Sequence, residues 1–298
     1  MRQNSSPTTI DFMILVLLSL IWGTSYILIK KGLEVFSPAQ VATLRLGISA
    51  LALAPFAFRH LKKISRKDVP LLMLIGITGT GLPSFLFPFA QTELSSSLTG
   101  MLSGLTPLCT FLIAWLFFKS RDAGKRQLTG VVLGLVGAGL LAWAAPGQAG
   151  QTTQFAYAGF ILLACFCYAT SSNLVAAYFK EMPSLTITVT SFFLVGVPAL
   201  IWALTAGAVL ETAAMEVDGK GWWALTYVAA LALFSTVLAS IIFFKMVQRT
   251  GAIFSSMVSY IIPLVALSWG LLDGEGIGLW QIPAIVLVLT GVFLSRGK

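Results

Sequence analysis

Long apolar runs alternate with short polar segments along the whole chain. Most runs hold roughly 17–25 residues, which is the length that crosses the hydrocarbon core of a bilayer as a helix. The runs are continuous and do not alternate with a period of two, so they indicate helices and not the strands of a barrel. Ten membrane helices are predicted, the fifth and tenth near the short limit, at residues 12–29, 41–58, 69–89, 97–118, 128–145, 157–179, 185–204, 222–244, 253–272 and 280–294.

The composition agrees with this pattern. Of the 298 residues, 57% are hydrophobic and 10% are charged, and the mean hydropathy is +0.90. A soluble protein of this length could not cover so much apolar surface. The predicted fold class is therefore an all-α polytopic membrane protein. The three cysteines, Cys109, Cys165 and Cys167, fall within predicted spans and show no disulfide or metal spacing, so no metal and no cofactor is predicted.

The net charge of +8 comes from basic residues whose positions along the chain indicate the membrane topology. With the N-terminus placed in the cytoplasm, fifteen of the 19 Lys and Arg residues fall in cytoplasmic segments, as the positive-inside rule requires. The sequence therefore predicts a multi-pass protein of the cytoplasmic (inner) membrane with both termini cytoplasmic, in contact with the lipid bilayer. Nucleic-acid binding is not expected, because the basic residues follow the topology.

The two halves of the chain resemble one another. The segment MLSGLTPL at 101–108 shares Met, Ser, Pro and Leu with MVSYIIPL at 257–264, and QLTGVVLGLVG at 127–137 matches QIPAIVLVLTG at 281–291. More weakly, WGTS at 22–25 matches YATS at 168–171. Five helices per half predict repeats at 1–147 and 148–298. Chance similarity between apolar helices is the alternative.

An odd number of helices per repeat means that the second repeat enters the membrane in the opposite orientation. The charges agree, because acidic residues stand in the second half where the first half has basic loops: Glu211, Glu216 and Asp218 after the seventh helix, and Asp273 and Glu275 after the ninth. Inverted repeats are typical of secondary transporters, whose substrate site lies near the midplane between the repeats. This pattern favours a carrier acting as a single chain over a channel. A membrane enzyme would need clustered acids, His or a metal site, which the sequence lacks.

Several motifs in a fixed order carry a resemblance to a known family. They are Trp22-Gly23 in the first helix, SPAQVATLRLGISAL at 37–51, Pro107, Pro263, and Gly274-Glu275. The chain resembles the drug/metabolite transporter superfamily, in its ten-helix EamA-type branch. The first half departs from the family pattern, because 117–127 lacks the Gly-Glu that usually precedes the fifth helix.

The resemblance implies a carrier of small metabolites, often an exporter of amino acids or related compounds. Its two halves would rock about a central cavity. The resemblance also implies that helices one, three, four, six, eight and nine surround this cavity, that two and seven lie outside, and that five and ten pack together.

No Asp or Glu lies in the middle of a predicted span. Proton-coupled carriers often use a membrane carboxylate, and small multidrug transporters of this superfamily carry a glutamate on the first helix, where this chain has Leu20. The sequence therefore favours export of amino acids or similar zwitterions by alternating access without a midplane carboxylate. The alternative is a multidrug or other metabolite exporter coupled to protons.

Arg45 is the one charged residue embedded in a span. It either binds a substrate carboxylate, moves between partners such as Glu34 and Glu93, or extends to the interface and anchors the second helix. Pro107 and Pro263 occupy equivalent repeat positions and act either as hinges or as static kinks.

Polar and aromatic residues near mid-span are the candidates for contact with a small-molecule substrate. Aromatic rings and Met suit apolar groups, whereas hydroxyls and amides hold charged groups. Helix packing is the alternative for each of them. The candidate substrate-binding residues are Trp22, Ser25, Tyr26, Phe85, Phe89, Met101, Tyr168, Ser171, Ser172, Asn173, Met257 and Tyr260.

Overall fold

The computed structural model describes residues 7–118, 125–144, 151–205, 219–276 and 278–294, and every regular element in these ranges is helical. We number the helices α1 to α10 by the predicted spans. Six of them run from end to end without a marked break: α1 (Thr9–Leu33), α2 (Pro38–Leu61), α5 (Lys125–Trp143), α6 (Gln151–Tyr178), α7 (Ser184–Thr205) and α10 (Gln281–Leu294).

Among the described residues, eight helices are long and apolar enough to cross a membrane, and the apolar parts of α5 and α10 are shorter. The prediction of a polytopic all-α membrane protein of about ten helices is confirmed, including the two short members. The predicted repeat boundary at 147/148 lies outside the described residues, as do Glu211, Glu216 and Asp218.

Two helices contain a segment of π-type backbone at their centre. In α3, Ile77–Gly81 separates Val69–Gly76 from Leu82–Ala90; in α8, Leu231–Leu238 separates Lys220–Ala230 from Ala239–Thr250. A π segment inserts extra residues into a turn and leaves some backbone groups without their usual helical partner. Such segments are frequent at functional sites, and these two lie at matching positions of the two halves.

Two other helices are broken near their middle. Helix α4 consists of Ser96–Ser103 and Thr106–Phe117, and the second half of α9 is Ile262–Leu272, after Ala252–Ser256 and a 3₁₀ turn at Met257–Tyr260. Pro107 and Pro263 stand in the first turn of the second half of each helix, where proline's missing N–H breaks no hydrogen bond. Both are therefore placed at a break; a hinge role stays a prediction.

Helices at corresponding positions of the two halves pack against each other: α2 on α7, α4 on α9, and α5 on α10. Small residues permit these contacts, as in other membrane bundles. A side chain at Gly291 would collide with the backbone of Gly134, and one at Gly23 would collide with Val265 of α9. A two-fold arrangement produces such pairings, and they support the predicted five-helix repeats, which remain a prediction.

Candidate functional site

A cavity of about 80 Å³ lies where the two halves meet. It is lined from α1, α3, α4, α6, α8 and α9, the six helices that the resemblance implied, and also by Arg45 from α2. Hydroxyls dominate the described lining, with aromatic rings second. The Ser and Thr residues are Ser25, Thr80, Ser103, Thr106, Thr110, Ser171, Ser172, Ser235, Thr236, Ser240, Ser255, Ser256 and Ser259; the aromatic ones are Trp22, Tyr26, Phe87, Tyr168, Phe243 and Phe244.

Two pairs of these hydroxyls are related by the sequence repeat. Thr80 and Thr236 stand 156 positions apart, one in each π segment, and Ser103 and Ser259 stand the same distance apart beside the breaks in α4 and α9. All four line the cavity. The site therefore lies between equivalent, irregular parts of the two halves.

Arg45 is 6% exposed. Its Nε donates a hydrogen bond of 2.7 Å to the Thr236 hydroxyl on α8, and the Tyr168 hydroxyl is a second contact. No acid among the described residues forms an ion pair with Arg45. Glu34, one of its predicted partners, pairs with Lys31 at 2.8 Å instead. The guanidinium thus lies in the cavity. It does not extend to the interface, because α2 turns this face towards the π segment of α8.

The aromatic residues form two groups around the cavity. Tyr26 meets Phe87 edge to face with ring centroids 5.6 Å apart, and Phe87 stacks on Tyr168 at 5.9 Å. On the other side, Trp22 meets Phe243 at 5.0 Å. The rings give the hydroxyl-rich cavity an apolar wall to hold a hydrocarbon part of a ligand.

Among the fully buried hydroxyl oxygens of the described cavity lining, those of Thr80 and Ser171 have no hydrogen-bond partner. Leaving a buried polar group unpaired costs about 1–3 kcal/mol. Gly79, next to Thr80, approaches Ser171 so closely that a Cβ atom there would lie 2.6 Å from the serine oxygen. Both residues line the cavity.

The structure brings seven of the predicted residues to the cavity. They are Trp22, Ser25, Tyr26, Arg45, Tyr168, Ser171 and Ser172. Trp22 also connects the halves, because its indole N–H donates to the Ser235 carbonyl oxygen at 2.8 Å. That carbonyl belongs to the π segment of α8, where the helical pattern is interrupted.

Six predicted binding residues do not line the cavity. Phe85 and Phe89 are 39% and 45% exposed on the opposite face of α3, because residues two positions from Phe87 are turned by about 200° on a helix. The amide of Asn173 is buried and donates to the backbone carbonyls of Thr110 and Ala169, so it joins α6 to α4.

Met101, Met257 and Tyr260 pack in the hydrophobic core. In the matched segments at 101–108 and 257–264, the shared serines line the cavity and the shared methionines do not. Sequence reasoning also missed Phe87, Thr80 and Thr236. The repeat offset of 156 would have indicated the threonine pair.

An ionic cluster joins the halves at the Lys30 end of α1. Lys30 Nζ lies 2.7 Å from Asp273 and 2.8 Å from Glu275, and Lys31 lies 2.8 Å from Asp273. The Glu275 carboxylate also accepts hydrogen bonds from the backbone and hydroxyl groups of Ser96 and Ser97. It thereby caps the first half of α4. Lys30 and Lys31 therefore connect the two halves of the chain at this end of α1.

The two acids of this cluster have lowered pKa values. Burial raises the pKa of Glu275, but the hydrogen bonds from Lys30, Ser97 and Ser96 outweigh it, and the pKa falls to about 2. Hydrogen bonds from Lys30 and Lys31 lower the pKa of Asp273. Both carboxylates are therefore ionised at neutral pH and hold the two lysines.

A second ion pair joins the halves at the opposite end of α1. Arg249, at the end of α8, lies 3.1 Å from the buried Asp11. Nearby, Gln248 donates to the backbone carbonyls of Phe179 and Met182. At 1.5 Å per residue, the ionic contacts of Asp11 and Lys30 are about 28 Å apart along α1. Helix α1 is therefore attached to the second half at both ends, with the cavity between.

Two curated proteins, from Bacillus subtilis and Salmonella typhimurium, show similarity along nearly all of this chain. The uncharacterized transporter YdfC of Bacillus subtilis (strain 168) is 25% identical over 285 residues, which cover 93% of this chain and 86% of that protein. A probable amino-acid metabolite efflux pump of Salmonella typhimurium is 24% identical over 296 residues, covering 96% and 94%.

A solved crystal structure shares the fold, with a TM-score of 0.65 and 16% sequence identity over 97% of this chain and 96% of that one. The model of the EamA-like transporter family matches the chain twice, at residues 9–143 and 156–297. These matches include nearly all ten helices and every residue that lines the cavity. The chain belongs to the EamA-like transporter family.

Proposed function

We propose that this transporter is a secondary carrier that exports amino acids or related small metabolites by alternating access. The observation that carries the proposal is the cavity between the halves, which combines Arg45, thirteen hydroxyl residues and six aromatic residues. This combination suits a small molecule with a polar end and an apolar side chain. The similarity to a probable amino-acid metabolite efflux pump supports the same substrate class.

The contacts at the two ends of α1 support alternating access. The cluster at Lys30 and the pair at Asp11 each join α1 to the second half. Opening the cavity towards one side of the membrane would break one set of contacts and keep the other. The breaks at Pro107 and Pro263 would let the two parts of α4, and the two parts of α9, move relative to each other.

The described cavity lining includes no acid, so we propose transport that does not depend on protonation of a midplane carboxylate. One chain would be the functional unit, since both halves of the cavity come from it. The carrier would lie in the cytoplasmic membrane with both termini in the cytoplasm, as the distribution of basic residues indicates.

Counterflow in proteoliposomes tests the proposal. Vesicles loaded with an unlabelled amino-acid mixture would take up trace labelled amino acid transiently above equilibrium, and the rate would saturate with concentration. Protein-free vesicles are the control. Linear uptake without counterflow would indicate a channel and refute the carrier. Counterflow that stops when the pH gradient is collapsed would refute the mechanism without a titrating acid and favour a proton-coupled exporter.

A further inference from the structure

The charge of the cavity restricts the substrate more narrowly than the proposed function does. Arg45 is the one charged residue among the described residues that line it. Two acids at the ends of the bundle are already paired with other basic residues and do not neutralise Arg45: Asp11 pairs with Arg249, and Glu275 pairs with Lys30. A buried guanidinium without a counter-charge is costly, by several kcal/mol. A ligand that enters this cavity with a negative charge removes that cost.

The guanidinium is held in a position that suits a carboxylate. Its Nε is occupied by Thr236, at 2.7 Å, and Tyr168 contacts the head group. An Arg side chain has five N–H donors in a planar fork, so donors on the terminal nitrogens remain for a ligand. Two parallel N–H bonds to one carboxylate are the strongest arrangement available to this side chain. Because Thr236 fixes the head group beforehand, less entropy is lost on binding.

The ammonium group of an amino acid finds no matching partner. Around the cavity, the described residues offer it only neutral groups, such as the unpaired hydroxyls of Thr80 and Ser171 and the rings of Trp22 and Tyr26. A zwitterion therefore leaves the loaded cavity with a net charge of +1, whereas a monocarboxylate without an ammonium group leaves it neutral.

We infer that the cavity selects its substrate through a carboxylate bound to Arg45, and that small monocarboxylates of net charge −1 are transported better than zwitterions. N-acylated amino acids and 2-hydroxy acids belong to this class. The inference rests on the proposed carrier function and adds the charge of its substrate.

Three compounds with the same side chain test the charge preference. N-acetylleucine, leucine and leucinamide carry net charges of −1, 0 and +1 at neutral pH, and the phenylalanine series does the same. In counterflow we expect N-acetylleucine to exchange faster than leucine. Leucinamide should be at least tenfold slower than either, which corresponds to about 1.4 kcal/mol. Net uptake of N-acetylleucine should also respond to an imposed membrane potential, because an anion carries charge across the membrane.

Substitutions connect the preference to Arg45. Arg45→Gln should abolish the difference between N-acetylleucine and leucinamide, and Arg45→Lys should retain part of it. Thr236→Val removes the hydroxyl that fixes the guanidinium and should raise the concentration for half-maximal exchange of N-acetylleucine severalfold. Thr226→Val is the matched control, since Thr226 is exposed on the same helix and bonds only its own turn. Melting curves in detergent identify any variant that fails to fold.

The outcomes separate the inference from the proposed function. If leucine or phenylalanine exchanges and its N-acetyl derivative does not, the inference is wrong while the carrier function stands. An unchanged preference in both Arg45→Gln and Thr236→Val, with both variants folded, would also overturn it. If no member of either series exchanges in the wild type, both the inference and the proposed substrate class are wrong.

Discussion

Replacing Glu275 with glutamine tests how strongly the two halves are joined at the Lys30 end of α1. The carboxylate is 7% exposed and contacts Lys30 at 2.8 Å. It accepts the backbone N–H groups of Ser96 and Ser97 at 3.0 and 2.9 Å, and both serine hydroxyls as well. Glutamine has nearly the same size, but its NH₂ group cannot accept a hydrogen bond. One set of serine donors then loses its acceptor, and Lys30 loses an anion.

The pKa of Glu275 sets the size of the effect. A fall from 4.5 to about 2 corresponds to about 3 kcal/mol, because one pKa unit is about 1.4 kcal/mol. Removing one partner of a buried ion pair costs a similar amount, about 3–5 kcal/mol. In a chain of this size, about 1 kcal/mol lowers the Tm by roughly 2 °C. Glu275→Gln should therefore lower the Tm by roughly 6 °C.

Thermal melting of the purified protein in detergent at pH 7, followed by tryptophan fluorescence, measures this change. Glu93→Gln is the matched control, because Glu93 is exposed at the same end of the bundle, just before α4. It should change the Tm by less than about 1 °C, as expected for a surface substitution. A Tm for Glu275→Gln equal to that of the control would refute the stabilising role of the cluster.

The same stabilisation should depend on pH. Because folding lowers the pKa of Glu275, its contribution is complete above about pH 4.5 and is lost as the pH falls towards 2. The Tm difference between the wild type and Glu275→Gln should therefore narrow between about pH 5 and pH 3. A difference that stays constant over this range would contradict the lowered pKa.

Three other substitutions test single contacts. Gly79→Ala places a methyl group 2.6 Å from the Ser171 hydroxyl oxygen, so counterflow should fall by roughly tenfold while the protein still folds. Trp22→Phe removes the hydrogen bond of 2.8 Å to the π segment of α8 and should lower the Tm by roughly 2 °C. Asp11→Asn should have less effect on the Tm than Glu275→Gln, because the side chain of its partner Arg249 is 42% exposed.

The helices could be predicted from the sequence because the bilayer imposes a simple requirement. Each segment must be about 20 residues long and apolar enough to remain in hydrocarbon. Even the short apolar lengths of α5 and α10 were visible in the sequence, and the structure has them as shorter helices. The breaks in α4 and α9 fall at Pro107 and Pro263, which occupy equivalent repeat positions. Proline alone does not locate a break, because Pro55 and Pro198 lie inside α2 and α7, which continue past them.

The side chains that line the cavity are harder to predict. In a helix that is apolar on all sides, the hydropathy pattern does not show which face points towards the cavity. The sequence predicts Phe85 and Phe89 of α3 as binding residues, yet Phe87 between them lines the cavity. The position of Arg45 depends on Thr236, which lies 191 positions later in the chain. No local pattern contains such a contact. The one signal in the sequence is that Thr80 and Thr236 stand 156 positions apart, which is the offset of the repeat.

The π segments explain why the cavity forms at these positions. A regular membrane helix pairs all its interior backbone groups, so it presents only side chains to a ligand or a neighbouring helix. In the π segment of α8, the Ser235 carbonyl accepts the Trp22 indole N–H, and the Thr236 hydroxyl accepts the Nε–H of Arg45. Irregular backbone at this depth is tolerated where it is buried in protein or lines a polar cavity. The π segment of α8 therefore provides the hydroxyl that holds Arg45 of α2, and the matching segment of α3 supplies Thr80 from the other half.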